Sequence, residues 1–153
     1  MRTGGDPERI VYLDNASTSA VKPAVVWSAM QDYLETIGAS PGRGGHRLAR
    51  RAEKVTADTR AAVAELFNIS HPADIAFTAN ATHALNIAIK GVLRTGDRVV
   101  TTALEHNSVL RPLESLHRAG RITRQIVEVD PTCGFDLDRF EQALRPGARL
   151  LVS

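Results

Sequence analysis

The feature that most constrains the fold is an alternation running through the second half of the chain. Apolar and β-branched runs at 74–78, 98–102, 122–127 and 149–152 alternate with helical patterns at 81–93, 107–119 and 136–144. Strands buried on both faces read as continuous apolar runs, and parallel neighbours need a crossover long enough to hold a helix. The spacing therefore predicts an α/β fold, a parallel sheet with helices on both faces.

The first half is organised differently. IVYLD (10–14) reads as a short strand that ends in the turn-rich NASTSAVKP. Pro23 suits the first turn of a helix, and Val25, Val26, Ala29, Met30, Tyr33, Leu34 and Ile37 recur at helical spacing until Gly38 stops it. GASPGRGG (38–45) is a loop, and a second helical pattern runs from His46 to Phe67. Residues 1–40 are thus expected to form an amino-terminal segment of strand and helix, and 41–153 part of a larger domain. The terminal RLLVS reads as a strand with no following helix to cover it, so the sheet is expected to be incomplete.

Composition narrows the function. Charged residues make up 24% of the chain and hydrophobic ones 43%, which is ordinary globular usage. The one basic cluster, RGGHRLARR (43–51), has no aromatic stacking platform, which argues against nucleic-acid binding. A single Cys excludes an intrachain disulfide framework and any Cys-rich zinc site. The leading MRTGGDPERIVYLD has no apolar signal core and no run approaches a membrane span, so a cytoplasmic protein that does not engage a membrane is the expectation.

In parallel α/β sheets, ligands sit outside the carboxyl ends of the strands. Three clusters fall there: DNASTS (14–19), TANATH (78–83) and LEHNSV (104–109). In the second, Asn80 is a good N-cap, and the N–H groups of Ala81 and Thr82 with the Thr82 hydroxyl can converge on one phosphate; plain helix capping accounts for the same residues. In the third, the His106 imidazole can stack on a flat ligand or move protons, or be a polar surface residue. Glu105 can orient that ring or cap the helix. Arg43 and His46 in the glycine loop can present cationic groups to a carboxylate, or the loop is a helix connection. Cys133, in the DPTCGFD turn, has no basic neighbour to form a thiolate and reads as a turn residue.

The order YLDNASTS, SPGRGGHRLA, FTANATHALNIAIKG, LEHNSVLRPL, DPTCGFD resembles the cysteine desulfurase family, class V of the fold-type I pyridoxal phosphate (PLP) enzymes. The resemblance runs from about Ile10 to the last residue and implies the amino-terminal part of the large PLP-binding domain. It implies that Ala81 and Thr82 bind the cofactor phosphate and that His106 stacks over the pyridine ring and acts as an acid/base group. Asn15, Ala16, Ser17 and Thr18 would lie near the amino-acid substrate, and Arg43 to His46 would border the site. The implied reaction converts L-cysteine to alanine and a protein-bound persulfide, in a homodimer and with a sulfur acceptor protein.

This sequence departs from the family pattern in two respects. Position 83 is His where relatives commonly carry Glu. The family's cofactor-tethering lysine, its pyridine-pairing aspartate and its mobile cysteine have no counterpart here, since Lys22, Lys54, Lys90 and Cys133 lie outside those motifs. The resemblance therefore implies a chain that is not catalytic alone, being part of a longer enzyme or a subunit completed by a second chain carrying the lysine and cysteine. A non-catalytic PLP-binding or scaffold module, a selenocysteine lyase and a class V aminotransferase are the alternatives.

Overall fold

The computed structural model describes residues 11–42, 44–130, 132, 134 and 136–152, so Ile10, Arg43 and Cys133 lie outside the described residues. The chain divides into two compact units, Met1–Ile75 and Ala76–Ser153.

The first unit holds α1 (Ala24–Thr36) and α2 (Arg47–Leu66), where helical spacing predicts them. Gly38 ends α1: at φ +53° it takes the left-handed conformation that a C-terminal cap requires, and its N–H donates to the Tyr33 carbonyl. From α2, Arg51 Nη1 donates to the Thr36 carbonyl at 3.0 Å, satisfying one of the carbonyls that the end of α1 leaves open. The apolar side of α1 is present as predicted, yet Val25, Trp27, Met30 and Leu34 are exposed.

Two expected strands do not form. The described part of IVYLD is irregular and leads into a tight turn in which Ser17 N–H donates to the Asp14 carbonyl. Over 74–78, Pro72–Asp74 is a 3-10 turn, and no strand among the described residues pairs with the extended stretch after it. A strand is defined by its ladder, so β-prone side chains without a partner remain irregular.

The second unit holds α3 (Ala81–Val92), β1 (Asp97–Thr102), α4 (Asn107–Arg118), β2 (Ile122–Val127), α5 (Leu137–Leu144) and β3 (Leu150–Val152). Among the described residues the sheet is parallel, with three strands rather than four, in the order β2-β1-β3. The chain steps outward from β1 to β2 through α4, then crosses back over β1 to β3 through α5. Right-handed crossovers in opposite directions require helices on opposite faces. The core shows this: Ile89, Leu93, Val109, Leu113 and Leu116 from α3 and α4 pack on Val99 and Ile122, while Phe140 and Ala143 from α5 pack with Val100 and Val127 on the other side.

Polar ties fix the helices to the sheet. Arg98, the second residue of β1, donates to the carbonyls of Ala143 at 2.6 Å and Gly147 at 2.9 Å, capping the end of α5. On the opposite face Glu114 of α4 pairs with Arg118 and with Arg124 of β2. The hydrogen bond from Arg118 is the largest influence holding the Glu114 carboxyl below its ordinary range; partial burial opposes it, and the Arg124 charge adds to it.

Leu113 has no exposed surface, so Leu113→Ala is expected to cost roughly 2–5 kcal/mol in denaturant unfolding, whereas Leu104→Ala, at an exposed site, stays within about 0.5 kcal/mol. A folded-state pKa depressed below its unfolded value contributes stability above the unfolded value, about 4.3 for Glu, and loses it as pH falls through the folded one. Glu114→Gln should therefore weaken the protein near neutrality and flatten the acid limb of its stability curve; an unchanged acid limb would show that the ion pairs add nothing.

Candidate functional site

Two helix starts meet at one end of the second unit. Asn80 precedes α3 with an extended backbone, and its Oδ1 accepts from His83 N–H at 2.9 Å, while its carbonyl accepts from Ala84 N–H at 3.1 Å. That is the N-cap predicted from sequence. It leaves the N–H groups of Ala81 and Thr82 without an acceptor among the described residues, at the positive end of a 12-residue helix.

The second start belongs to α4. β1 ends at Thr102, and a short turn places His106 just beyond the carboxyl edge of the sheet. His106 is itself the N-cap of α4: its Nδ1 accepts from Ser108 N–H at 3.1 Å. Glu105 neither orients the ring nor caps the helix; its Oε1 accepts from the Thr102 hydroxyl at 3.0 Å. α3 and α4 pack through Ile89, Leu93, Val109 and Leu113, which brings their starts together.

Ser108 joins the two. Its Oγ lies 2.7 Å from Thr82 Oγ1 and 2.8 Å from His106 Nδ1, and the residue is only 6% exposed. Sequence reasoning passed over Ser108; the available signal was a hydroxyl two residues after a histidine at a helix start, where local side-chain bonds are common. A cleft of about 400 Å³ opens from these groups along the two helices, past Asn86, Lys90 and Arg111, and no carboxylate among the described residues lines it. Such a set of donors suits an anionic, acceptor-rich ligand.

The other predicted site residues belong to the first unit. Asn15, Ala16, Ser17 and Thr18 form an exposed turn closed by Tyr12 Oη donating to the Thr18 carbonyl at 2.9 Å and Ala20 N–H donating to Asn15 Oδ1 at 3.4 Å. His46 is the N-cap of α2, its Nδ1 accepting from Ala49 N–H at 3.3 Å. Gly44 permits that cap: a Cβ there would stand 2.7 Å from the Ala49 Cβ and 2.9 Å from His46 Nε2.

The second unit is thus a parallel α/β fold with a donor-rich helix start and an imidazole at the carboxyl edge of its sheet, the arrangement of proteins that bind phosphorylated ligands. A family model for class-V aminotransferases matches residues 11–153, and the chain belongs to that family. It is 34% identical over 147 residues to a probable cysteine desulfurase of Synechocystis and 33% identical over 148 residues to one of Pyrococcus abyssi, in matches that cover 94% and 95% of this chain. The chain spans 35% and 36% of those relatives, corresponding to their amino-terminal part. The apo cysteine desulfurase of Thermococcus onnurineus superposes with a TM-score of 0.80 at 31% identity, over 93% of this chain and 36% of that one. A C-DES mutant with glycine covalently linked to its PLP cofactor superposes with a TM-score of 0.61 at 27% identity, over 81% of this chain and 32% of that one. The likeness confirms the expected fold, that of the PLP enzymes of fold type I.

Asn80→Ala, by removing the cap of α3, should destabilise the protein by roughly 0.5–2 kcal/mol in chemical denaturation, while Asn80→Asp, which keeps an acceptor, should cost much less.

Proposed function

We propose that this chain supplies the phosphate cradle and the ring-stacking imidazole of a PLP-dependent cysteine desulfurase. The carrying observation is the pair of N–H groups at Ala81 and Thr82, unpartnered among the described residues and linked to His106 through one buried hydroxyl. The residues fit the cofactor's phosphate: two backbone donors and a hydroxyl at a positive helix end, with no carboxylate among the described residues lining the cleft beside them. When bound, PLP supplies an electron sink for chemistry at an amino-acid carbon.

The roles of this chain's residues follow. Ala81 and Thr82 bind and orient the phosphate through their N–H groups. His106, exposed at the carboxyl edge of β1, would stack on the cofactor's ring when it is bound and would hold or move a proton at Nε2, because Nδ1 is engaged by Ser108. Asn15 to Thr18, Arg43 and His46 are assigned to the vicinity of the amino-acid substrate. L-cysteine is the proposed substrate, with alanine and a protein-bound persulfide as products. The lysine that tethers the cofactor and the attacking thiol come from a further segment, in the same polypeptide or in a complementing chain, within a dimer that passes its sulfur to an acceptor protein.

The test combines cofactor titration with reconstitution. The chain with a lysine- and cysteine-bearing segment of a desulfurase should form alanine from L-cysteine, and His106→Ala should lower that rate by about 10²-fold or more. Full activity in His106→Ala would refute the assigned role. Cofactor binding with no alanine formed by the assembly would instead favour the non-catalytic module, for which the unusual His83 is the sequence argument.

A further inference from the structure

Ser108 lies between the two groups assigned to the cofactor, and the hydrogen count of its contacts has a consequence for His106. Its backbone N–H donates to His106 Nδ1 at 3.1 Å, so Nδ1 is an acceptor and the neutral ring carries its proton on Nε2. With Nδ1 bare, the 2.8 Å contact from Ser108 Oγ needs the Ser108 hydroxyl proton. The 2.7 Å contact between Ser108 Oγ and Thr82 Oγ1 then needs the Thr82 proton. The order runs Thr82 to Ser108 to His106, and Thr82 has no proton left for an anion.

An oxyanion held at the start of α3 offers the Thr82 hydroxyl a charge-assisted hydrogen bond, stronger than the neutral one it makes with Ser108. If Thr82 turns its proton to that anion, Thr82 Oγ1 is open to accept from the Ser108 hydroxyl, and the Ser108 oxygen can in turn accept from an Nδ1–H. The exposed ring takes a proton from water at Nδ1 and returns the one at Nε2 to water. The number of protons on the ring is unchanged. The N–H of Ser108 gives up its contact with Nδ1 in exchange.

We infer that Ser108 is a positioning residue that couples anion binding at Ala81 and Thr82 to the tautomer of His106. With the anion site filled, the exposed Nε2 becomes a bare acceptor, the form that can take a proton. The inference rests on the phosphate role proposed above for Ala81 and Thr82. It gives Ser108 a function beyond holding two helix starts together, since a merely structural hydroxyl would leave the ring's proton where it was.

The experiment uses the full chain, uniformly labelled with ¹⁵N, and inorganic phosphate as the probe. The amides of Ala81 and Thr82 report binding, and the ¹⁵N resonances of His106, assigned by their loss in His106→Gln, report the tautomer. Without phosphate, Nε2 should carry the proton; at saturation it should sit on Nδ1. In Ser108→Ala the two amides should still respond while the ring does not switch, and Ser108→Thr should restore the switch. A wild-type ring that stays unchanged while both amides respond overturns the coupling, as does a switch that survives in Ser108→Ala. Unresponsive amides would instead refute the phosphate cradle. The coupling is then decided without ligand: Thr82→Val should shift the His106 Nδ1 resonance, and in a Ser108→Ala background it should not. A resonance unmoved by Thr82→Val alone, in a protein whose other amides show it folded, overturns the relay.

Discussion

Val99, Val100 and Thr101 have no exposed surface, because β1 is hydrogen-bonded along both edges and covered on both faces. Everything else in the second unit takes its place from that strand. Its pairing sets Ile122 and Leu150 on the face that α3 and α4 cover, and Val127 on the face that α5 covers. A shift of one residue in that register would exchange the two apolar sets and take each out of contact with the helices it packs against. Arg98 and the Glu114 ion pairs are secondary: they tie helices to a sheet whose pairing is already settled by burial.

The functional end follows from the same strand. Where β1 stops, the chain must turn and start α4, and the first N–H groups of that helix need acceptors. His106 meets that need with Nδ1, and His46 does the same at the start of α2. An imidazole used as a cap has one nitrogen engaged at the helix start, so the hydrogen bonds made at that nitrogen set the ring's orientation and its tautomer. Packing of α3 on α4 then brings Thr82 within hydrogen-bond distance of Ser108, joining the donor-rich helix start to the ring.

Much of this was legible beforehand, and the exceptions share a cause. The periods of apolar residues placed all five helices and the three strands of the sheet among the described residues, and Asn80 was readable as a cap because its effect is local. IVYLD and 74–78 were misread as strands because β-prone side chains say nothing about whether a partner exists. The role of Glu105 was open in the sequence, since its bond to Thr102 reaches back across the turn that ends β1. Ser108 was missed because a single serine in a helical pattern carries no signal until the hydroxyl 26 residues away is known to face it.

By itself, the sequence determined the local periods, the α3 cap, the alternation that demands a parallel sheet, and the ordered motifs that place the chain among class-V aminotransferases. These depend on residues near one another along the chain, or on short patterns that survive without coordinates. Only the tertiary structure decided the strand order, the two faces on which the helices lie, and the hydroxyl contacts that place Ser108 between Thr82 and His106. Each of those is a relation between residues far apart in the chain, fixed by burial of apolar surface and by the direction of hydrogen bonds, neither of which a linear pattern contains.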